Sequence, residues 1–202
     1  MTGRFVVLEG GEGCGKSTQV ELLAQDLGAL ATRQPGGTEL GSRLRTLLLA
    51  AVDDPAPVDE RAEALLMAAD RAQHVAQVVR PALEAGRHVV CDRYTPSTVA
   101  YQGHGRGLDV DWLERLAAWA ARGLRPDLVV LLDVPADVAA SRRGAVSDRI
   151  EAAGDEFHRR VAESYRAQAA ADPDGWAVVD GSGDVDSVRL AVRAAVAERL
   201  GI

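Results

Sequence analysis

The sequence predicts an α/β fold: a five-stranded parallel sheet flanked by helices on both faces. Three observations carry that expectation. Short runs of β-branched residues and leucine alternate with helical patterns from end to end, which is how a parallel sheet with helical crossovers reads. The strand runs are continuously apolar, as in Leu128 to Leu132, and a sheet covered on both faces requires that. No long linker, low-complexity stretch or internal repeat interrupts the 202 residues, so a single domain spanning 1–202 is expected.

The elements follow in order. Arg4 to Glu9 reads as a buried strand, then comes a glycine-rich loop, then a helix from about Lys16 to Leu27. Leu30 to Gln34 is a short strand closed by the turn Pro35-Gly36-Gly37. Thr38 has the chemistry of an N-cap, and Leu40, Leu44, Leu47 and Leu48 fall on one face of the helix it opens. A long helical stretch runs from Val58 to Ala85, kinked by Pro81 and stopped by Gly86. Further strands are His88 to Asp92, Leu128 to Asp133 and Trp176 to Asp180, with helices at Val110 to Arg122, Gly154 to Ala171 and Asp184 to Leu200. Trp112, Leu116 and Trp119 form a stripe that core packing explains most simply, with a subunit face as the alternative. In such sheets ligands lie beyond the carboxyl ends of the strands.

Composition narrows the function. With 47% hydrophobic and 26% charged residues, the chain is neither a disordered tail nor a disulfide-knotted mini-protein. Its apolar runs are too short to span a bilayer, and no basic start followed by an apolar stretch suggests a signal peptide. No membrane partner is expected. Cys14 and Cys91 then read as reduced thiols in a cytoplasmic protein. A net charge of −7 argues against nucleic-acid binding. Of the 23 basic residues one alone is lysine, Lys16; it marks a place where a compact ammonium is needed and a planar guanidinium would not serve. His74, His88, His104 and His158 show no metal-ligand spacing.

Gly10-Gly11-Glu12-Gly13-Cys14-Gly15-Lys16-Ser17 is a complete G-x-x-x-x-G-K-[ST], placed directly after a strand and opening a helix. Its glycines let main-chain N–H groups curl around phosphate oxygens at the positive end of that helix. Lys16 reaches the β- and γ-phosphates, the Ser17 hydroxyl can ligate Mg²⁺, and Thr18 follows in the first turn. The loop binds nucleotide phosphates.

With that loop placed, other segments fall into a family pattern: Leu8-Glu9-Gly10, Thr32-Arg33-Gln34-Pro35-Gly36-Gly37-Thr38, Ala69-Asp70-Arg71-Ala72-Gln73, Asp92-Arg93-Tyr94, Ala100-Tyr101-Gln102-Gly103 with Gly105-Arg106-Gly107, Leu132-Asp133-Val134-Pro135, and Asp148-Arg149-Ile150-Glu151. Over nearly its whole length the chain resembles the bacterial thymidylate kinases, in their variant with a basic lid. The resemblance implies the P-loop nucleoside monophosphate kinase fold, transfer of the ATP γ-phosphoryl group to dTMP, Mg²⁺ as cofactor and a homodimer.

It also implies roles. Arg93 and Arg33 would face the acceptor phosphate, and Asp92 would hold Mg²⁺ through water. Glu12 would accept from the sugar 3′-hydroxyl, Tyr101 would crowd out a 2′-hydroxyl, and Arg71 would donate to the pyrimidine O4. Thr98 would lie against the base edge, with Ser97 and Gln102 beside it. Two departures stand out: Met67 replaces the phenylalanine that usually stacks on thymine, and Gln34 replaces a glutamate. Some relatives carry an arginine in the phosphate loop where this chain has Gly13, so the cation for the transferring group must come from elsewhere. The segment at about 141–150 supplies three arginines and resembles the family's basic lid, with Arg143 and Arg149 as candidates. Another nucleoside monophosphate kinase and an ATP-sensing regulatory module remain the alternatives. A GTPase would need an Asn-Lys-x-Asp motif, and the chain contains no asparagine.

Overall fold

The computed structural model describes residues 3–49, 58–142 and 148–202. Strands β1 (Phe5–Glu9), β2 (Leu30–Arg33), β3 (Val89–Asp92), β4 (Leu128–Asp133) and β5 (Trp176–Asp180) pair in parallel in the order β2-β3-β1-β4-β5. The helices are α1 (Lys16–Leu27), α2 (Glu39–Leu48), α3 (Glu60–His74), α4 (Arg80–Glu84), α5 (Thr95–Ser97), α6 (Val110–Ala120), α7 (Ala136–Arg142), α8 (Asp155–Ala171) and α9 (Val185–Leu200). The period-2 alternation of a strand divides the core. Phe5, Val7, Val89, Cys91, Val129 and Leu131 pack on one face with Phe157, Val161 and Tyr165 of α8. Val6, Leu8, Val90, Val130 and Leu132 pack on the other with Val20 and Leu23 of α1 and Val188, Val192 and Val196 of α9. Burial on both faces is why the strands read as unbroken apolar runs. The chain winds outward from β1 in both directions, which leaves a crevice beyond its carboxyl end.

The elements differ from expectation in four places, each with a physical cause. The stretch expected over 58–85 is α3, a π-helical turn at Val75–Val79, then α4. Pro81 has no N–H, and its ring would meet the carbonyl four residues back; the wider turn, closed by Arg80 N–H on the Val75 carbonyl, avoids the clash. Helix α2 is rotated from its leucine face. Leu48 is buried while Leu40 and Leu47 are 45% and 60% exposed, because α2 approaches α3 at Gly41, where a Cβ would lie 2.2 Å from Asp70 Oδ1. On α6 the buried side is Leu113, Ala117 and Ala120, and Trp112 and Trp119 are exposed; core packing does not explain the tryptophan stripe. Finally, α5 with a π-helical segment at Thr98–Gly105 was not anticipated, nor was α7, which takes in Ser141 and Arg142 of the expected lid. Arg143 lies outside the described residues.

Candidate active site

The loop after β1 turns on glycines. Gly10, Gly13 and Gly15 have positive φ, and a Cβ at Gly10 would lie 2.7 Å from the Leu132 carbonyl oxygen, so a side chain there would push the loop off β4. Gly15 precedes Lys16 at the head of α1, leaving the first N–H groups of that helix facing the crevice. The Lys16 ammonium is buried; it donates to the Gly11 carbonyl at 2.7 Å and to Cys14 Sγ at 3.3 Å. Ser17 Oγ donates to Asp92 Oδ2 at 2.8 Å, while Asp92 Oδ1 is buried without a hydrogen-bond partner among the described residues. A carboxylate oxygen left so is costly unless a donor or cation meets it. Ser17 and Asp92 thus fit a Mg²⁺ site that phosphate oxygens and water would complete.

Next to it stands Arg93, the residue after β3, in the left-handed region at φ 68°. For a non-glycine residue that conformation is strained, and it is held by the contacts of the side chain. One guanidinium nitrogen meets Glu12 Oε1 at 2.5 Å. The other donates to the Gly10 carbonyl and to Tyr165 Oη, each at 3.0 Å. The group lies 4.8 Å from the centre of the Tyr101 ring, and the Tyr101 hydroxyl donates to Glu12 at 2.8 Å. Burial alone would raise the Glu12 carboxyl, but Arg93, Lys16 and the Tyr101 hydroxyl outweigh it and bring its pKa down to about 2. Glu12 is therefore an ionised acceptor at neutral pH.

Beneath Arg93 lies a buried carboxyl to which the sequence motifs assign no role. Glu9 Oε2 accepts from Ser97 Oγ at 2.7 Å and Tyr165 Oη at 2.9 Å, and Oε1 accepts from the Tyr94 N–H at 2.8 Å. Its burial pushes the pKa above the ordinary carboxylate range, against the pull of Arg93 and these donors. The available signal was an acid closing an otherwise apolar buried strand.

These groups open onto a cavity of about 360 Å³ whose walls include Glu12, Gly13, Gly15, Lys16, Ser17, Thr18, Arg33, Met67, Arg71, Asp92, Arg93, Ser97, Thr98, Tyr101 and Gln102. Every residue expected for the acceptor nucleotide lies there. Gly11 and Cys14 instead line a second cavity, of about 590 Å³, toward α7 and α8. Arg71 is buried and well tied: Nε donates to Gln34 Oε1 at 3.0 Å, Nη1 to Thr98 Oγ1 at 2.9 Å and Nη2 to the Tyr94 carbonyl at 3.0 Å. Gln34, the departure from the family glutamate, also contacts His74 Nδ1 at 2.8 Å through its amide nitrogen. Burial and then Arg71 lower the pKa of His74 to about 4, so a neutral ring accepts that donor, which a glutamate could not supply.

Two residues unforeseen from the sequence also line the cavity. Arg45 of α2, half-buried, donates to the Pro35 carbonyl at 3.2 Å and adds a third guanidinium beside Arg33 and Arg93. Asp70 accepts from the Gly36 N–H at 3.0 Å and so fixes the turn after β2. Arg149, expected as a catalytic cation, is seated on Glu63 Oε2 at 2.6 Å and is not among the lining residues, whereas its neighbours Asp148 and Ile150 are.

Comparison with known proteins agrees with this geometry. A family model described as thymidylate kinase matches residues 8–192. The chain is 50% identical over 210 residues to a thymidylate kinase of Solidesulfovibrio magneticus, covering 97% of this chain and 100% of that protein. It is also 50% identical to one of Leifsonia xyli subsp. xyli, over 95% and 93% of the two chains. A crystal structure of thymidylate kinase from Ehrlichia chaffeensis superposes with a TM-score of 0.79 at 29% identity, covering 97% of this chain and 100% of the other.

Proposed function

The chain belongs to the thymidylate kinase family, and on that premise we propose that it transfers the γ-phosphoryl group of ATP to the 5′-phosphate of dTMP, giving dTDP and ADP. The observation that carries this reading is one cavity lined together by residues of the phosphate loop, by Arg33, Arg45, Arg71 and Arg93, and by a buried polar pocket. The main-chain amides of the loop and the head of α1 take the donor phosphates, with Lys16 as their point charge. Arg93, Arg33 and Arg45 supply the forks that grip the acceptor phosphate. Ionised Glu12 accepts from the 3′-hydroxyl, the ring of Tyr101 underlies the deoxyribose and leaves no space for a 2′-hydroxyl, and Arg71, Thr98, Ser97, Gln102 and Met67 take the base.

Phosphoryl transfer asks the protein chiefly for positioning and charge. Ser17 and Asp92 would hold Mg²⁺, the latter through water, and the ion supplies neutralisation of the charge that develops on the phosphate oxygens. Lys16 and Arg93 meet the same charge, joined by the lid cation Arg143, while Arg149, seated on Glu63, serves the acceptor pocket instead. The enzyme works in the cytoplasm as a homodimer. Exposed Leu40, Leu47, Trp112 and Trp119 on α2 and α6 support a subunit face there, and among the described residues no helix is long and apolar enough to cross a membrane. Coupled ADP release measured across dTMP, dUMP, UMP, CMP, AMP and GMP tests the assignment. dTMP should give the highest kcat/KM, and a purine monophosphate as best acceptor would overturn it.

A further inference from the structure

Glu63 is a charged residue on α3 whose side chain is 1% exposed. It lies one helical turn before Met67 and two before Arg71, on the face of α3 that meets the cavity. Its two oxygens take three donors from two other parts of the chain. Oε1 accepts from Gln102 Nε2 at 2.8 Å. Oε2 accepts from Arg149 Nη2 at 2.6 Å and Arg106 Nη2 at 3.2 Å.

Each donor is fastened to a cavity wall. Gln102 lines the cavity and shares the π-helical segment with Thr98 and Tyr101. Arg106 follows that segment and covers the Phe157 ring at 4.7 Å, and Phe157 packs edge-on against Tyr101 at 5.9 Å. Arg149 sits between Asp148 and Ile150, both cavity residues, and its Nε meets the Leu48 carbonyl at 3.4 Å, next to Leu49 in the same wall. A buried carboxylate facing two guanidiniums has its charge fully answered, and removing it leaves cations without a partner.

Resting on the kinase reading above, we propose that Glu63 is a positioning residue of the acceptor site: one buried carboxylate ties α3, the Thr98–Gly105 segment and the 148–150 wall together around the nucleotide, and Arg149 acts through it. The arginines of the Gly105-Arg106-Gly107 and Asp148-Arg149-Ile150-Glu151 motifs thereby share one function, preorganisation of the pocket before dTMP enters.

The test is Glu63→Gln, Arg149→Gln and the double variant. The readouts are Kd for dTMP by calorimetry and kcat and both KM values by coupled assay, with near-UV circular dichroism to establish folding. Each single variant should raise Kd and KM for dTMP about tenfold, with kcat and the KM for ATP changed less than about threefold; the double variant should be no worse than either single one, as coupled partners behave. Arg149 is partly exposed, so Arg149→Gln carries the test should Glu63→Gln not fold. Unchanged dTMP affinity in a folded variant, additive losses in the double variant, or a loss of kcat alone in Arg149→Gln would overturn the proposal. A wild-type chain that neither binds nor phosphorylates dTMP would instead overturn the kinase reading, which distinguishes the two failures.

Discussion

Replacing Glu12 by glutamine keeps the shape of the side chain and removes its charge from the pair with Arg93. The carboxyl is held at about 2 against a reference of 4.5. A depressed acid stabilises the native state above its unfolded pKa and loses that contribution as pH falls toward the folded one. At about 1.36 kcal/mol per pH unit, the ionised carboxylate contributes about 3 kcal/mol at pH 7, about 1 kcal/mol at pH 3 and almost nothing by pH 2. The side chain is 25% exposed, and solvent screening trims the neutral-pH figure to about 2–3 kcal/mol. Urea denaturation of wild type and Glu12→Gln at pH 7, 4 and 3 measures it. Comparing the two proteins at one pH cancels the separate loss from His74, whose neutral ring costs stability as pH drops from about 6.5 toward 4. The gap should narrow steadily with acid. A gap of constant size from pH 7 to pH 3 would refute the pairing of Glu12 with Arg93 and Lys16 as the source of its low pKa.

Two further substitutions probe the acceptor pocket. Met67→Phe restores an aromatic face on the cavity wall, and a stacking gain of about 0.5–1.5 kcal/mol should lower the KM for dTMP about two- to tenfold with kcat little changed; an unchanged or higher KM would show that the thioether is not packed on the base. Tyr101→Ala opens the floor below the sugar and should raise the activity on UMP relative to dUMP at least about fivefold, by admitting the 2′-hydroxyl that the ring excludes, and an unaltered ratio would remove Tyr101 from sugar selection.

The strands and the phosphate loop were legible because each depends on local rules: apolar runs for a sheet covered on both faces, and glycines where φ is positive. Features set by tertiary contact were not. The face of α2 follows from its close approach to Asp70 at Gly41, which no leucine spacing encodes. The Thr98–Gly105 segment carries two glycines and two β-branched residues, poor helix formers, yet seven of its eight residues are buried and packing holds it. The acceptor residues carried over from the family motifs all reached one cavity, since a motif preserves spacing that the fold converts into proximity. Arg45 could not be told from the many surface arginines of a chain nearly without lysine. Glu63 likewise reads as an ordinary helical acid until the two arginines that meet it are seen.

The central claim is that Lys16 and its loop aim one phosphoryl group at dTMP held in the adjoining cavity. Transfer of label from γ-³²P-ATP, followed by separation of dTDP from inorganic phosphate, tests it most directly in wild type and Lys16→Ala. The account predicts label in dTDP from the wild type and a rate at least about a hundredfold lower in the variant, the scale expected when a preorganised charge on the transferring group is removed. Label appearing in dTDP at equal rates from both proteins, or passing from the wild type only to inorganic phosphate, would contradict it.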